Sequence, residues 1–500
     1  MSCKSKLFRD PVHGYIDVPD DLCSRYIDTD VFQRLRFIEQ SSMRMLYPAA
    51  RHDRFIHSLG VYAIAKRVYA SIANRFATVH EDRTVCERFR ETFLVAALLH
   101  DCAHSPFSHT GEGIAKKYCG AEIEEKLIEA VGSDEFRHDF YDSDARYATH
   151  ELASAYVGCK RFASELGMFV DKEQFVRMIT GIKNKHSDTP VNRAYNCLIS
   201  LLNGFIVDVD RLDYLQRDTW ATGICNASVD VDRLIAGIDV DVAKGRVCVR
   251  HTALASFINA VSARDYIFNW VIPDHIISYA NEILERGIEK LILAMASDSE
   301  LPTDVAKKLF SPDRLLPGGE VRIKGEVVYL PTDGDILYWM KKYIPDDIYF
   351  KAYSCRDKIH ISLWKSYAEF LAIFKAKLEP RHLKSFSEVN FWELFGVKLK
   401  VFADSHPNCL CTQPRPIKSV RRNLTKVEVN MDGTYSAVAL GRNQLDLTHM
   451  FGDQVGGDRY YFNAYVYAPS ADNDYEKEAN EIIKMLQDLL KDTIDEYDAS

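Results

Sequence analysis

From about residue 31 to 290 the apolar residues of this chain return at intervals of three and four, the period of an amphipathic helix rather than a strand. After Arg54 the stripe runs Ile56, Leu59, Ile64, Val68, Ile72. Between Asn192 and Asp218 it runs Leu198, Leu201, Leu202, Phe205, Ile206, Val209, Leu212, Leu215, which predicts one long amphipathic helix. Phe93–Leu99 is a solid apolar run closed by His100-Asp101, and Pro106 stops a helix soon after. Such stripes are buried by packing helix on helix, so the fold class is mostly α.

The texture changes elsewhere. KGRVCV (244–249) reads as a short strand after a turn, and SDSELPTD (297–304) and SPDRLLPGGE (311–320) read as loops around a helical lobe. From Val397 onward VKLKVFAD, KVEVNMDGTYSAVAL and YYFNAYVYAP alternate like strands, with Asp432-Gly433 as a hairpin signal. Glu476–Leu490 reads as a closing helix with an acidic, frayed end. The expected division is a helical core over 1–295, a helical extension over 296–390 and a smaller α+β C-terminal lobe over 391–500.

At 500 residues, 47% hydrophobic and 27% charged, the composition is that of an ordinary globular protein. A net charge of -9 argues against coating nucleic acid by bulk electrostatics, while leaving room for a local basic pocket that takes a small anion. The start, MSCKSKLFRDPVHGY, has no apolar signal core, and no stretch is long enough to span a bilayer. The 12 cysteines are scattered, and Cys409-Leu410-Cys411 is too isolated for a zinc ribbon, which points to a reducing intracellular compartment, cytoplasmic or nuclear.

Polar residues break into the helical stripes at chemically suggestive places. His57, the pair His100-Asp101 and Asp210 fall on three different predicted helices. Two imidazoles and two carboxylates form a mixed set suited to Zn, Fe or Mn, able to acidify a water and act on a phosphate ester. Asp210 sits among Val207, Val209 and Leu212, and a carboxylate beside an apolar stripe is costly unless paired or bound to metal. One turn apart on the same face lie Asp210, Tyr214 and Asp218, with Arg211 at their edge. Asp213 and Arg217 read instead as a solvated charged face. His104, His109 and the more distant His150 are suited to protonating a leaving oxygen or stabilising phosphoryl charge. The bland reading of any one of them is a hydrogen-bonded core histidine, but His100, His104 and His109 crowd around Pro106.

The blocks RDPVHGYI, IDTDVFQRLRFIEQ, RFIHSLGVY, LLHDCAHSPFSH and VDVDRLDYLQRD, in this order over residues 6–275, resemble the HD-domain deoxynucleoside triphosphate triphosphohydrolases. The resemblance is to the eukaryotic type with an additional sterile-alpha-motif domain, which these blocks do not include. LGRNQLDL and YYFNAYVYA resemble that family's C-terminal lobe, with a regulatory and oligomerising role. The resemblance implies metal ligands at His57, His100, Asp101 and Asp210, and catalytic histidines at His104, His109 and His150, the last oriented by Glu112 where relatives carry aspartate. It implies triphosphate contacts from Arg54, Arg211 (lysine in relatives), Tyr214 and Arg264, and sugar contacts from Asp218 and Gln40. The implied reaction is water attack at the α-phosphorus of a dNTP, releasing deoxynucleoside and triphosphate, with Mg accompanying the nucleotide.

Activation by GTP or dNTP and assembly into a homodimer or homotetramer are implied as well. One nucleotide pocket falls on Lys6, Asp28, Gln33 and Arg36, and a second on Arg233, Arg250 and Arg442. The chain departs from the family pattern at Ser41-Ser42, Phe268, Thr252 and Ser256, and at Ile272, where relatives place the tyrosine that walls the sugar. Without that wall sugar discrimination is expected to be altered, so another nucleotide substrate, or a nucleotide-sensing role, is the alternative.

Overall fold

The computed structural model describes residues 4–77, 79–143, 147–166, 170–204, 208–355, 359–375, 382, 388–417, 426–431, 434–439, 459–468 and 475–499. Two compact units divide the chain, and both are discontinuous in sequence. The first comprises Met1–Arg264, Ile288–Ile344 and Lys426–Leu440; the second comprises Asp265–Gly287, Pro345–Thr425 and Gly441–Ser500. The fold is mostly α with small sheets.

In the first unit the helix Arg54–Phe76 starts where the Asp53 carboxylate accepts the Ile56 N–H, and it buries Phe55, Leu59, Ile64, Val68 and Ile72. The helix Arg83–Leu99 packs against it and ends before the expected proline, leaving His100-Asp101 in the turn that follows. The next helix, His109–Val131, packs on Thr149–Arg161. Its entry is strained: Phe107 and Ser108 both have left-handed φ, 60° and 51°, a conformation costly for any residue with a Cβ. The Asp333 carboxylate accepts the Phe107 N–H (2.6 Å), and Ser108 Oγ accepts from Arg54 Nε (3.0 Å). Those contacts hold the strained turn that presents His109.

The single helix expected over 192–218 is two helices, Pro190–Leu202 and Val209–Thr222. Asn203 leaves helical geometry, and the extended Asp208 restarts the helix by accepting the Arg211 N–H at 2.8 Å while its other oxygen takes the Gly204 N–H. The apolar spacing carries across the break, whereas Asn203-Gly204 and Asp208 were the stop and start signals. Phe205, Ile206 and Val207 lie outside the described residues.

A hairpin, Ser5–Asp10 with Gly14–Pro19, opens this unit. A four-stranded sheet orders Thr434–Ala439, Lys426–Met431, Arg246–Arg250 and Ile238–Asp241, with Val429 parallel to Val249. The strand expected in KGRVCV is therefore present, and so are the strands flanking Asp432-Gly433, although that turn itself lies outside the described residues.

The second unit packs the helices Val389–Ser405 and Tyr475–Ala499 around Trp364, Phe370, Trp392, Phe395 and Phe462. Its sheet orders His360–Ser362, Ala464–Tyr467 and Cys409–Cys411. VKLKVFAD, expected as a strand, is the second half of the helix Val389–Ser405. Phe391, Phe395, Leu399 and Ala403 recur every four residues on its buried side, while Val397 and Val401 are 65% exposed. Eight residues of apolar alternation fit either period, and the aromatic residues upstream decide for the helix.

Candidate metal centre and its histidines

His57 lies one turn into Arg54–Phe76 and faces the Val209–Thr222 helix, which carries Asp210. His57 Nε2 is 3.0 Å from Asp210 Oδ1 and 3.6 Å from Asp101 Oδ2; His100 Nε2 is 3.5 Å from that Asp101 oxygen and 3.8 Å from Asp210 Oδ1. All four expected ligands thus converge. His100 Nδ1 lies 2.9 Å from the Ala97 carbonyl, which can only accept, so Nδ1 carries the proton and Nε2 offers a lone pair. His57 Nδ1 lies 2.7 Å from Asp213 Oδ2 and carries a proton; burial opposes charge on the ring, but Asp210 and Asp213 push it up to about 9, and a cation at Nε2 would take the place of its second proton. Both Nε2 atoms are buried and make no hydrogen bond, so they point at a shared site rather than at a hydrogen-bond partner. Two imidazole nitrogens and two carboxylates fit a divalent cation. Burial would raise the Asp101 carboxyl, but the Arg54 guanidinium, with the His100, His104 and His57 imidazoles, holds it well below the usual carboxylate range. Arg54 Nη1 donates to Asp101 Oδ2 at 2.6 Å.

Across Asp101 stands a second histidine group. His104 and His150 stack at 4.3 Å between ring centroids, and His109 lies edge-on to both. Glu112, one turn into the helix His109–Val131, joins them: its Oε2 faces His109 Nδ1 and its Oε1 faces His150 Nδ1, each at 2.9 Å. Burial opposes the charge on His150, yet Glu112 pushes its imidazole up to about 9. In return His150 and His109 hold the Glu112 carboxyl well below its ordinary range against burial. His104 is fully buried, and burial together with Arg54 lowers its pKa, which keeps it neutral.

Of the expected substrate residues, Arg211, Tyr214 and Asp218 lie on the helix Val209–Thr222, Arg54 opens the helix Arg54–Phe76, and Arg264 lies in Leu254–Tyr266. Asp218 Oδ1 is 2.8 Å from His52 Nε2, and Arg211 Nη1 is 2.7 Å from Asp208 Oδ2. Burial raises the Tyr214 hydroxyl pKa, with Arg264 and Arg211 close enough to oppose it. Gln40 is buried, its backbone carbonyl accepts from Arg54 Nη2 (3.1 Å), and its Oε1 makes no hydrogen bond. Ile272 and Phe268 belong to the second unit. Of the expected activator residues, Lys6 Nζ meets Asp28 Oδ2 at 2.5 Å and Arg36 Nε donates to Gln33 Oε1 at 2.8 Å. Arg233 donates to the Thr252 carbonyl at 3.4 Å, Arg250 Nε is 3.6 Å from Asp239 Oδ2, and Arg442 lies outside the described residues.

One expectation fails outright. Asp213 and Arg217 are not a solvated face but are buried, at 0% and 1% exposure. Arg217 grips both Asp213 oxygens at 2.8 Å, and Asp213 also takes His13 Nε2 at 2.6 Å beside its contact to His57. Asp10 and His13 stood in the block RDPVHGYI with no role attached, and His52 had no distinguishing sequence signal. Gly60 was one: a glycine inside a helix is costly, and here a Cβ would stand 1.9 Å from Asp213 Oδ1 and 2.4 Å from Arg217 Nη2.

Residues 54–215, the segment that carries every metal-site candidate, match the HD domain family. Part of the chain is similar to proteins described as SAMHD1-type deoxynucleoside triphosphate triphosphohydrolases. It is 31% identical over 226 residues to the deoxynucleoside triphosphate triphosphohydrolase SAMHD1 homolog of Dictyostelium discoideum, covering 44% of this chain and 37% of that protein. It is also 31% identical over 234 residues to the uncharacterized protein YwfO of Bacillus subtilis, covering 46% of this chain and 44% of that one. The chain therefore spans less than half the length of either relative. Among solved structures, a hypothetical protein from Aquifex aeolicus matches over 96% of this chain and 100% of its own, with TM-score 0.60 at 20% identity. A phosphohydrolase from Bacteroides thetaiotaomicron matches over 93% and 100%, with TM-score 0.57 at 18% identity. Those two share the fold. Among the described residues no helix is long and apolar enough to cross a membrane, and the cysteines are free.

Proposed function

We propose that this chain is a metal-dependent dNTP triphosphohydrolase, activated by GTP or dNTP and working as a homodimer or homotetramer. One observation carries the reading: two buried Nε2 nitrogens and two carboxylates converge beside Arg54 and the Glu112-linked histidines. His57, His100, Asp101 and Asp210 would hold one divalent transition metal, Zn, Fe or Mn, whose Lewis acidity lowers the pKa of a water and polarises a phosphoryl oxygen. Arg54, Arg211 and Arg264 supply fixed positive charge for the phosphate oxygens, with Mg accompanying the triphosphate. His150, kept protonated by Glu112, would give a proton to the leaving 5′-oxygen, while His109 on the same carboxylate is held toward its neutral form by burial. Neutral His104 stacks on His150 and limits its rotation. Gln40 and Asp218 face the sugar, as the homologous family implies.

The test is a panel of dNTPs and NTPs, each with and without GTP, the products resolved by chromatography. Deoxynucleoside and triphosphate are expected from dNTPs. Monophosphate and pyrophosphate would instead make this an HD phosphohydrolase of another specificity, the reading that Ile272 favours because it replaces the aromatic sugar wall. No turnover under any activator would leave a nucleotide sensor.

A further inference from the structure

Among the described residues, Asp213 is gripped by His57, by His13 and by Arg217 of its own helix, and the last two connect it to the N-terminal hairpin. His13, in the turn of that hairpin, reaches Asp213 Oδ1 directly at 2.6 Å. Arg217 clamps both Asp213 oxygens, and the Arg217 guanidinium is itself held by Asp10 Oδ2, 2.9 Å from Nη1. Asp10 in turn is anchored by the backbone N–H groups of Val12 and His13, both 2.7 Å from its Oδ1. Asp213 passes the constraint to His57 Nδ1 at 2.7 Å, on the ring edge opposite the metal-facing Nε2. The His13, Asp213 and Arg217 side chains are 5%, 0% and 1% exposed, so the relay is dry and its charge-assisted bonds are unscreened. The hairpin that carries the turn is a two-stranded ribbon with Leu7 and Tyr15 64% and 66% exposed, a structure of marginal stability without anchorage.

We propose that the hairpin turn is a working part of the metal centre: Asp10 and His13 are positioning residues that hold Asp213, and through it the His57 ring, with Nε2 aimed at the metal. The inference rests on the metal reading above. A carboxylate behind a ligating histidine sets the ring's tautomer and orientation, and losing such an outer partner typically costs about 10–100-fold in metal affinity. Coupling is reciprocal, so a metal at His57 stabilises the hairpin in turn.

The full chain is stripped with a chelator and titrated with Zn²⁺ or Mn²⁺ against a chromophoric competitor. His13→Ala is expected to bind about 10-fold more weakly than the wild type, the lower end of the loss for an outer partner because Arg217 still holds Asp213. His13→Gln, which keeps a donor, recovers most of the loss, and Leu7→Ala on the exposed strand changes nothing. In parallel, hydrogen exchange of the wild type is followed by mass spectrometry, and metal is expected to slow exchange over residues 5–19. That arm decides the question even where His13→Ala does not fold. Wild-type protein that binds no metal, or Asp210→Ala binding as well as wild type, overturns the underlying metal reading. Wild type that binds while Asp210→Ala does not, with His13→Ala unchanged or hairpin exchange indifferent to metal, overturns the hairpin inference alone.

Discussion

Two histidine groups flank Asp101, and they are built from the same residue type for opposite ends. On one side His57 and His100 aim bare Nε2 atoms at Asp101 Oδ2 and Asp210. On the other, His109 and His150 turn Nδ1 toward one shared carboxylate, Glu112. Either group by distance alone could hold a metal, since the donor atoms of each lie within 4.8 Å of one another. The difference lies in what is already satisfied. Glu112 accepts from two imidazoles at 2.9 Å, so that group closes on itself and keeps protons. The Ala97 carbonyl and Asp213 take the protons of His100 and His57 at the far ring nitrogens, so this group is left asking for a cation. The partner of Nδ1, rather than the histidine, assigns the role.

The largest effect that would separate the two groups is at Asp210. Asp210→Ala should drop metal content, read by elemental analysis, from one ion per chain to none, with hydrolysis falling roughly 10³-fold as several kcal/mol of charge stabilisation are lost. His150→Ala should lower kcat by about 10²–10³-fold while metal content stays at one ion per chain; loss of metal in this variant would merge the two groups into one site.

Glu112→Gln sharpens the comparison through pH. The folded His150 pKa is raised from the ordinary 6.5 to about 9, so its pairing stabilises the fold fully below pH 6.5 and is lost as pH rises through 9. Glu112 is depressed, so its share is present above its unfolded value of about 4.3 and is lost as pH falls. In Glu112→Gln the His150 ring proton signal, followed by NMR, should titrate well below 9, because burial is then opposed only by the more distant Asp101 and Glu151 carboxylates. The smallest effect is at Gly60→Ala, whose new Cβ collides with Asp213. Overpacking of this kind costs about 1–3 kcal/mol, seen as a lower Tm, and should weaken metal binding with no change in the His150 titration.

Much of the site was legible because its chemistry is local in sequence. His100-Asp101 ends an apolar run and Asp210 interrupts one, whereas Glu112 entered only through the family resemblance. Asp213 and Arg217 were misread for an equally physical reason. A charge pair one turn apart on a helix looks the same whether water or another element covers it, and here the cover is His13, 200 residues away. VKLKVFAD failed through its period, since a short alternating window is compatible with strand or helix until its neighbours are counted. The helix break at Asn203–Asp208 was marked by its caps but masked by continuous apolar spacing.

The sequence by itself determined the helical class of the fold and the kinds of side chain that meet at the HD centre, because both follow from residue type and spacing along one helix. Only the tertiary structure decided which nitrogen of each imidazole is free, which charges are dry, and that an N-terminal turn stands behind a metal ligand. Those properties depend on what approaches from elsewhere in the chain, and burial with charge neutralisation between distant elements leaves no period or motif behind.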